Sequence, residues 1–289
     1  MGEIKKMGMG WLPDYPDFRD YTPDHVIIRD ILQKTKITAP KKLPGSVDLR
    51  AWCSPVEDQG ELGSCTANAA VGVVEYFERK AFGKHIDASR LFLYKVTRNL
   101  LKMKGDTGAF IRSAMGALAL FGVPPEEYWP YVISDFDKEP SAFCYAFAHN
   151  YRTIKYYRLD PPGISPDLLM ESIKTHLAAG FPAAFGFTVY SSISQADSNG
   201  MMPFPVRGEK ILGGHAIMAV GYNDNVVIKN NNPGGMETTG AVLIRNSWGT
   251  GWGSGGYGWL PYEYILKGLA VDWWSLTKSE WIDTGNFGF

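Results

Sequence analysis

The chain has 289 residues, is 45% hydrophobic with 9 Trp, 15 Tyr and 15 Phe, and carries a formal net charge of −1. That is enough apolar material for a large core, and a chain of this size tends to divide into two lobes. With no basic patch or arm beyond Lys5-Lys6 and Lys41-Lys42, which read as solvated loop charges, the balance excludes a nucleic-acid partner or a membrane surface held by charge. No apolar run approaches the roughly 18–20 residues that a bilayer requires. The N-terminus, "MGEIKKMGMGWLPDYPDFRD", has basic residues with no apolar stretch behind them, so it does not read as a secretory signal. An intracellular or particle-packaged protein is the default expectation. Cys53, Cys65 and Cys144 allow at most one internal bridge, and His25, His85, His149, His176 and His215 are scattered. Neither a metal site nor a cofactor is expected from that spacing.

Residues 1–45 form a proline-rich leader with alternating aromatic and acidic residues and a short helix or strand at "HVIIRDILQ". Trp11, Tyr15, Phe18 and Tyr21 are costly to leave in water, so the leader is expected to pack on something. Residues 46–150 read as a mainly helical lobe. Ala67, Ala70, Val71, Val74 and Phe77 repeat at helical spacing over Ser64 to Ala81, ended by Gly83. "DASRLFLYKVTRNLL" gives a second helix capped at Asp87 or Ser89, and "GAFIRSAMGALALFG" a third, stopped by Gly122. Residues 151–289 begin with a fourth helix, "SPDLLMESIKTHLAAG", with Ser165 as cap, Pro166 at its first position and Gly180 as terminator. The period then changes. "PAAFGFTVY", "GHAIMAVGYN", "NVVIKN", "AVLIRNSWG" and "YGWLPYEYI" are short, rich in β-branched and aromatic residues, and bounded by Gly and Asn. The fold class is α+β, a helical lobe against an antiparallel β lobe, with the C-terminal segment free to cross back.

"DQGELGSC" delivers Cys65 to the start of an amphipathic helix. A thiol attacks carbonyl carbon as a thiolate, and the N–H groups at a helix start favour an anion. A lone cysteine is more often a core filler, so the argument rests on partners. His215 sits in "GGHAIMAVGY" at the open end of a strand, and the next strand ends "IRNSWGTGWGSGGYGW". There Asn246 can accept an imidazole N–H, and Trp248 can cover that bond. Each residue alone would read as core or turn.

Together, "DQGELGSC", "GGHAIMAVGY" and "IRNSWGTGWGSGGYGW" resemble the papain/cathepsin family of cysteine peptidases over about residues 46–275, with His215 and Asn246 following Cys65 by 150 and 181 residues. The resemblance implies a two-lobed papain-like fold with a cleft between a helical lobe and a β-barrel-like lobe. It makes Cys65 the nucleophile, His215 its acid/base partner, Asn246 the residue that orients the ring, and Gln59 an oxyanion donor. Gly63, Ser64, Thr107, Gly108, Ala109, Gly213, Gly214 and Trp248 would bind substrate. Gly108 would pair with its backbone, and Ala109 and Gly213 would leave room for an apolar side chain two residues before the scissile bond. Two positions depart from the family string: Leu62 stands where a cysteine is usual, and Thr66 where an aromatic is usual. Cys53 and Cys144 match none of the family's bridges and either pair with each other or stay free. The expected function is a cysteine endopeptidase acting on peptides or proteins, made as a zymogen with residues 1–45 over the cleft. The alternatives are an inert leader clamped behind the fold, an exopeptidase with loop 191–210 or the leader closing one end of the cleft, acyl transfer to another nucleophile, and a silent peptidase-like binding protein.

Overall fold

The computed structural model describes residues 7–35, 42–152 and 154–287. Lys5, Lys6, Lys41 and part of the expected leader lie outside them. In chain order the elements are helix α1 (Val26–Gln33), strand β1 (Ser46–Asp48), α2 (Cys65–Phe82), α3 (Arg90–Leu100), α4 (Ile111–Phe121), α5 (Ala142–Ala148), β2 (Lys155–Arg158), α6 (Pro166–Ala178), β3 (Ala183–Tyr190), β4 (Ile211–Lys229), β5 (Glu237–Arg245), β6 (Tyr257–Pro261), α7 (Tyr262–Leu266), β7 (Ala270–Thr277) and α8 (Ser279–Ile282). The strands form an antiparallel sheet ordered β2-β7-β3-β4-β5-β6, with β1 paired to β4. This is the α+β, two-lobed papain-like architecture: helices α2, α3 and α4 pack together on one side, and the sheet lies on the other.

The expected helix signals act where they were read. Ser89 and Ser165 accept from Phe92 N–H and Leu168 N–H at the starts of α3 and α6. Gly83 ends α2 at φ 73°, a left-handed conformation that a side chain would oppose. The amphipathic reading of α2 needs correction. Every residue from Cys65 to Phe77 is buried, because the helix runs through the core between the other helices and β4, and a helix enclosed on all sides has no polar face. The leader also differs in part from expectation. Trp11 is buried and Tyr21 packs on the core, but Tyr15 and Phe18 are exposed at 89% and 92%. Cys53, Cys65 and Cys144 are all free and buried. No helix among the described residues is long and apolar enough to cross a membrane.

Candidate active site

The first turn of α2 is held from both sides. Ser64 does not cap the helix with its side chain; its Oγ hydrogen-bonds Tyr131 OH at 2.6 Å and accepts from Asn68 Nδ2 at 3.0 Å. Asp106 accepts the Gly63 N–H at 3.0 Å and the Tyr94 hydroxyl at 2.6 Å, and Tyr94 in turn accepts the Gly108 N–H at 3.0 Å. One tyrosine thus ties the approach to Cys65 to the loop at Gly108. Nothing local in the sequence marks Tyr94 or Asp106, since each looks like an ordinary helix or loop residue until the fold brings the two loops together. Leu62 and Thr66, the two departures from the family string, are buried. Thr107 is exposed and Ala109 buried beside Gly108.

His215 lies on β4 opposite Phe187 of β3, and Asn246 follows the last residue of β5. The His215 Nε2 and Asn246 Oδ1 are 2.8 Å apart. The Ser247 N–H donates to that same oxygen at 2.8 Å, which identifies it as the carbonyl end of the amide. His215 therefore carries its proton on Nε2, and its Nδ1 is left without a hydrogen-bond partner. Trp248 stacks on the imidazole with centroids 4.4 Å apart, and Trp252 meets Trp248 edge-on at 5.6 Å. Gln59 is zipped to the same corner: its N–H donates to the Ser247 carbonyl at 2.8 Å, and Ser247 Oγ donates to its Oε1 at 2.5 Å. With Oε1 engaged, Gln59 points its amide N–H groups at the Leu62 carbonyl (2.8 Å) and the Gly8 carbonyl (3.1 Å). The backbone N–H groups of Ala216, Gly10, Thr66 and Cys65 itself favour the Cys65 thiolate, so β4 runs close beside the sulfur.

Gly8 and Gly10 belong to the leader, which threads between the two sides. The Gly8 N–H donates to the Gly60 carbonyl, and its own carbonyl accepts from Gln59 and from Trp248 Nε1. The Gly10 carbonyl accepts the Ala109 N–H at 2.8 Å, and Leu12 N–H donates back to the Ala109 carbonyl at 3.0 Å, a parallel β-bridge. The Trp11 N–H donates to the Gly214 carbonyl at 3.1 Å, and Met9 packs against Gly213. Residues 8–12 thus engage Gln59, Ala109, Gly213, Gly214 and Trp248, all expected site residues. Beneath this cover Cys65 and His215 are fully buried. Burial pushes the thiol up to about 11 and the imidazole down to about 4 despite its bond to Asn246, so the pair is neutral while covered. Among the described residues no group of three or more His, Cys, Asp or Glu converges as metal ligands.

Residues 43–265 match the model of the family described as papain family cysteine protease. An uncharacterized peptidase C1-like protein of Acanthamoeba polyphaga mimivirus is 34% identical over 93% of this chain and 86% of its own. Cathepsin K of Gallus gallus is 28% identical over 75% of this chain, which spans 58% of cathepsin K. Among solved structures, xylellain, a cysteine protease from Xylella fastidiosa, superposes with a TM-score of 0.74 at 33% identity, covering 95% of this chain and 97% of that one. The chain belongs to the papain family of cysteine proteases and is a peptide-bond hydrolase.

Proposed function

We propose that this chain is a cysteine endopeptidase made as a zymogen, with residues 7–12 as the strap that keeps it silent. The observation that carries the reading is the threading of Gly8 to Leu12 across the site, by backbone hydrogen bonds to Ala109 and Gly214 and by the Gln59 and Trp248 side chains donating to the Gly8 carbonyl. The bonds to Ala109 and Gly214 are of the kind an extended peptide makes when it adds a strand. In the open enzyme, solvent returns to Cys65 and His215, and the thiolate and imidazolium forms become mutually stabilising. The Cys65 sulfur attacks the substrate carbonyl carbon. The oxyanion takes the Gln59 side-chain N–H, on which the Gly8 carbonyl now rests, together with the Cys65 N–H, and each such donor is worth about 3 kcal/mol. His215 passes its proton to the leaving amine, giving an acyl-enzyme, and then takes one from the water that hydrolyses it. Asn246 and Trp248 hold the ring in the tautomer this requires. Gly63, Ser64, Thr107, Gly108, Ala109, Gly213 and Gly214 are the proposed walls for substrate.

The strap is latched outside the cleft. Arg112 on α4 pairs with Asp14 and Asp20, both at 2.7 Å, and donates to the Tyr15 carbonyl at 2.7 Å. A second reading, an exopeptidase, draws on the 3-10 turn at Ser191–Ala196. That turn borders a cavity of about 520 Å³ that Met7, Met9, Glu61, Asp106 and Trp248 also line. The experiment is labelling of reduced full-length protein with an epoxide thiol inhibitor, read by intact mass and peptide mapping, beside Cys65→Ala and a variant whose strap is displaced. Selective, strap-limited modification of Cys65 supports the zymogen. Equal labelling with and without the strap overturns it. Cleavage of peptides blocked at both ends separates the endopeptidase from the exopeptidase.

A further inference from the structure

Behind the nucleophile, Arg90, Asn68, Ser64, Tyr131 and Gln59 form one series of hydrogen bonds whose direction their chemistry fixes. Arg90, the first residue of α3, is buried; Glu126 accepts from its Nε at 3.1 Å and its Nη2 at 3.0 Å, and Glu57 lies 3.1 Å from Nη2. Its Nη1 donates to Asn68 Oδ1 at 3.3 Å. A guanidinium only donates, so the amide oxygen of Asn68 faces Arg90 and its Nδ2 faces Ser64, donating to Oγ at 3.0 Å. The Ser64 proton is thereby directed to the Tyr131 hydroxyl oxygen 2.6 Å away, and the Tyr131 hydroxyl donates to the Gln59 carbonyl at 3.1 Å. Burial pushes the phenol up to about 12, so the hydroxyl keeps the proton it donates. The Arg90 guanidinium also stands over the Tyr131 ring, 4.2 Å from its centroid. All the dipoles run from the cation toward Gln59, an order in which each bond polarises the next.

We infer that Tyr131 is a positioning residue of the peptidase: oriented by Arg90 through Asn68 and Ser64, its hydroxyl fixes the Gln59 backbone so that the Gln59 side-chain N–H meets the oxyanion as it forms. The inference rests on the peptidase reading, in which Gln59 is an oxyanion donor. The Gln59 N–H donates to the Ser247 carbonyl at 2.8 Å, so Ser247 and Tyr131 hold the two ends of that residue. Gly60 follows at φ 62°, a left-handed position with no side chain to brace the turn. While the strap is docked, Gly8 adds bonds to Gly60 and to the Gln59 side chain. When it leaves, the Tyr131 hydroxyl still holds the carbonyl end. A preformed donor stabilises the transition state without reorganising during the reaction, and that is what this hydrogen bond preserves.

Two measurements test this, both in full-length Gly10→Val, in which the strap is displaced. The first needs no turnover. Hydrogen exchange at the Gln59 amide is compared for the parent, Ser64→Ala, Tyr131→Phe and the double variant. Tyr131→Phe keeps the ring under Arg90 and removes the hydroxyl alone. Each single change should quicken exchange at least tenfold, and the double variant should exchange no faster than Tyr131→Phe, because the same series is already cut. Unchanged exchange in Tyr131→Phe, or effects that multiply in the double variant, overturn the inference. The second sets cleavage of a peptide blocked at both ends beside alkylation of Cys65 by iodoacetamide. Alkylation forms the carbon–sulfur bond as iodide leaves and creates no oxyanion, so it reports the thiol alone. Tyr131→Phe should lower kcat at least tenfold with KM within twofold, and leave the alkylation rate and its pH profile at the parent's. In a Gln59→Ala background the same change should lower kcat less than threefold, since the donor it holds is gone. Parallel losses in both reactions, as general damage to the fold would give, overturn the inference, and so does an equal loss with and without Gln59. No cleavage by the parent would count against the peptidase reading, and the exchange comparison would then decide whether Tyr131 holds Gln59.

Discussion

Gly10 offers the sharpest perturbation of the strap. A Cβ there would lie 2.0 Å from the Gly63 carbonyl oxygen, and one at Gly8 2.2 Å from the Leu62 carbonyl oxygen. Both obstacles are backbone, on the tight approach to α2, so the wall cannot rotate aside and the strap must lift. Lifting it breaks the Ala109 N–H to Gly10 bond at 2.8 Å and strains the Trp11 N–H to Gly214 bond at 3.1 Å. Overpacking of this kind costs about 1–3 kcal/mol. The clash exists only while the strap is docked, so the cost falls on the docked state and multiplies the open fraction roughly 5- to 150-fold, at tenfold per 1.4 kcal/mol. The assay is the second-order rate of epoxide labelling at Cys65 in full-length Gly10→Val, with Gly45→Ala as control, since a Cβ at Gly45 meets nothing within 4 Å. Gly10→Val should label within that range above wild type, and Gly45→Ala at the wild-type rate. If Gly10→Val labels no faster than wild type, with thermal unfolding unchanged, the strap does not limit access to Cys65 and the reasoning fails.

The latch should matter less than the cleft contacts. Arg112→Ala loses two partly buried ion pairs worth about 0.2–1 kcal/mol each, so labelling should rise about 2- to 30-fold, and no rise would show that the strap is held by the cleft alone. Protons should leave the strap unmoved near neutral pH. Under cover His215 is held down to about 4 and Cys65 up to about 11, and the open thiolate–imidazolium pair holds the same single proton, so protection of the Gly8, Trp11 and Leu12 amides should stay flat from about pH 6.5 to 5; a fall approaching tenfold per pH unit over that span would show that the open pair is not the ion pair. Asn246→Ala, placed in the Gly10→Val protein, should lower kcat on the order of 100-fold with little change in KM, because the misplaced ring still lets substrate bind; an unchanged kcat would remove Asn246 from the mechanism. Glu75, buried in α2 with hydrogen bonds from Ser54 Oγ and the Ala88 N–H, is pushed up to about 7 by burial. A raised carboxylate contributes fully below its unfolded value and loses that contribution as pH climbs toward 7, here roughly 3 kcal/mol. Denaturant melts should therefore weaken from pH 4.5 to 7 in wild type and flatten in Glu75→Gln, and parallel profiles would refute the assignment.

What could be read from the sequence was whatever local chemistry decides. Ser89, Ser165 with Pro166, and Gly83 set helix ends through bonds a few residues long, and each acts as read. The three motifs are likewise local, and the fold brings His215 and Asn246 to 2.8 Å. The strands were harder. "AVDWWSLT" becomes β7, buried at seven of its eight positions, so it shows no alternation and no period to recognise. "GHAIMAVGYN" and "NVVIKN" read as two strands but form the single strand β4, whose pairing to β5 shifts between Asn223 and Val227; the polar turn signal there marks a bulge instead of a break. "YGWLPYEYI" splits the other way at Pro261, which ends β6 and opens α7.

The leader shows why long-range geometry escapes such a reading. Its aromatic residues suggested packing, yet Tyr15 and Phe18 lie in solvent while Trp11 is buried. Composition cannot separate these three, because the difference lies in what each meets. Trp11 meets glycines at 186 and 214 and a carboxylate at 272, all far along the chain, and no pattern within the leader encodes them. The same holds for "MGMGW". Alternating glycines there look like slack, but each is required by a carbonyl oxygen on the approach to Cys65. The cleft fixes the spacing of the strap, so the strap can be altered at Gly8 or Gly10 only at the expense of docking, whereas Tyr15 and Phe18 should accept polar replacement with no change in labelling of Cys65.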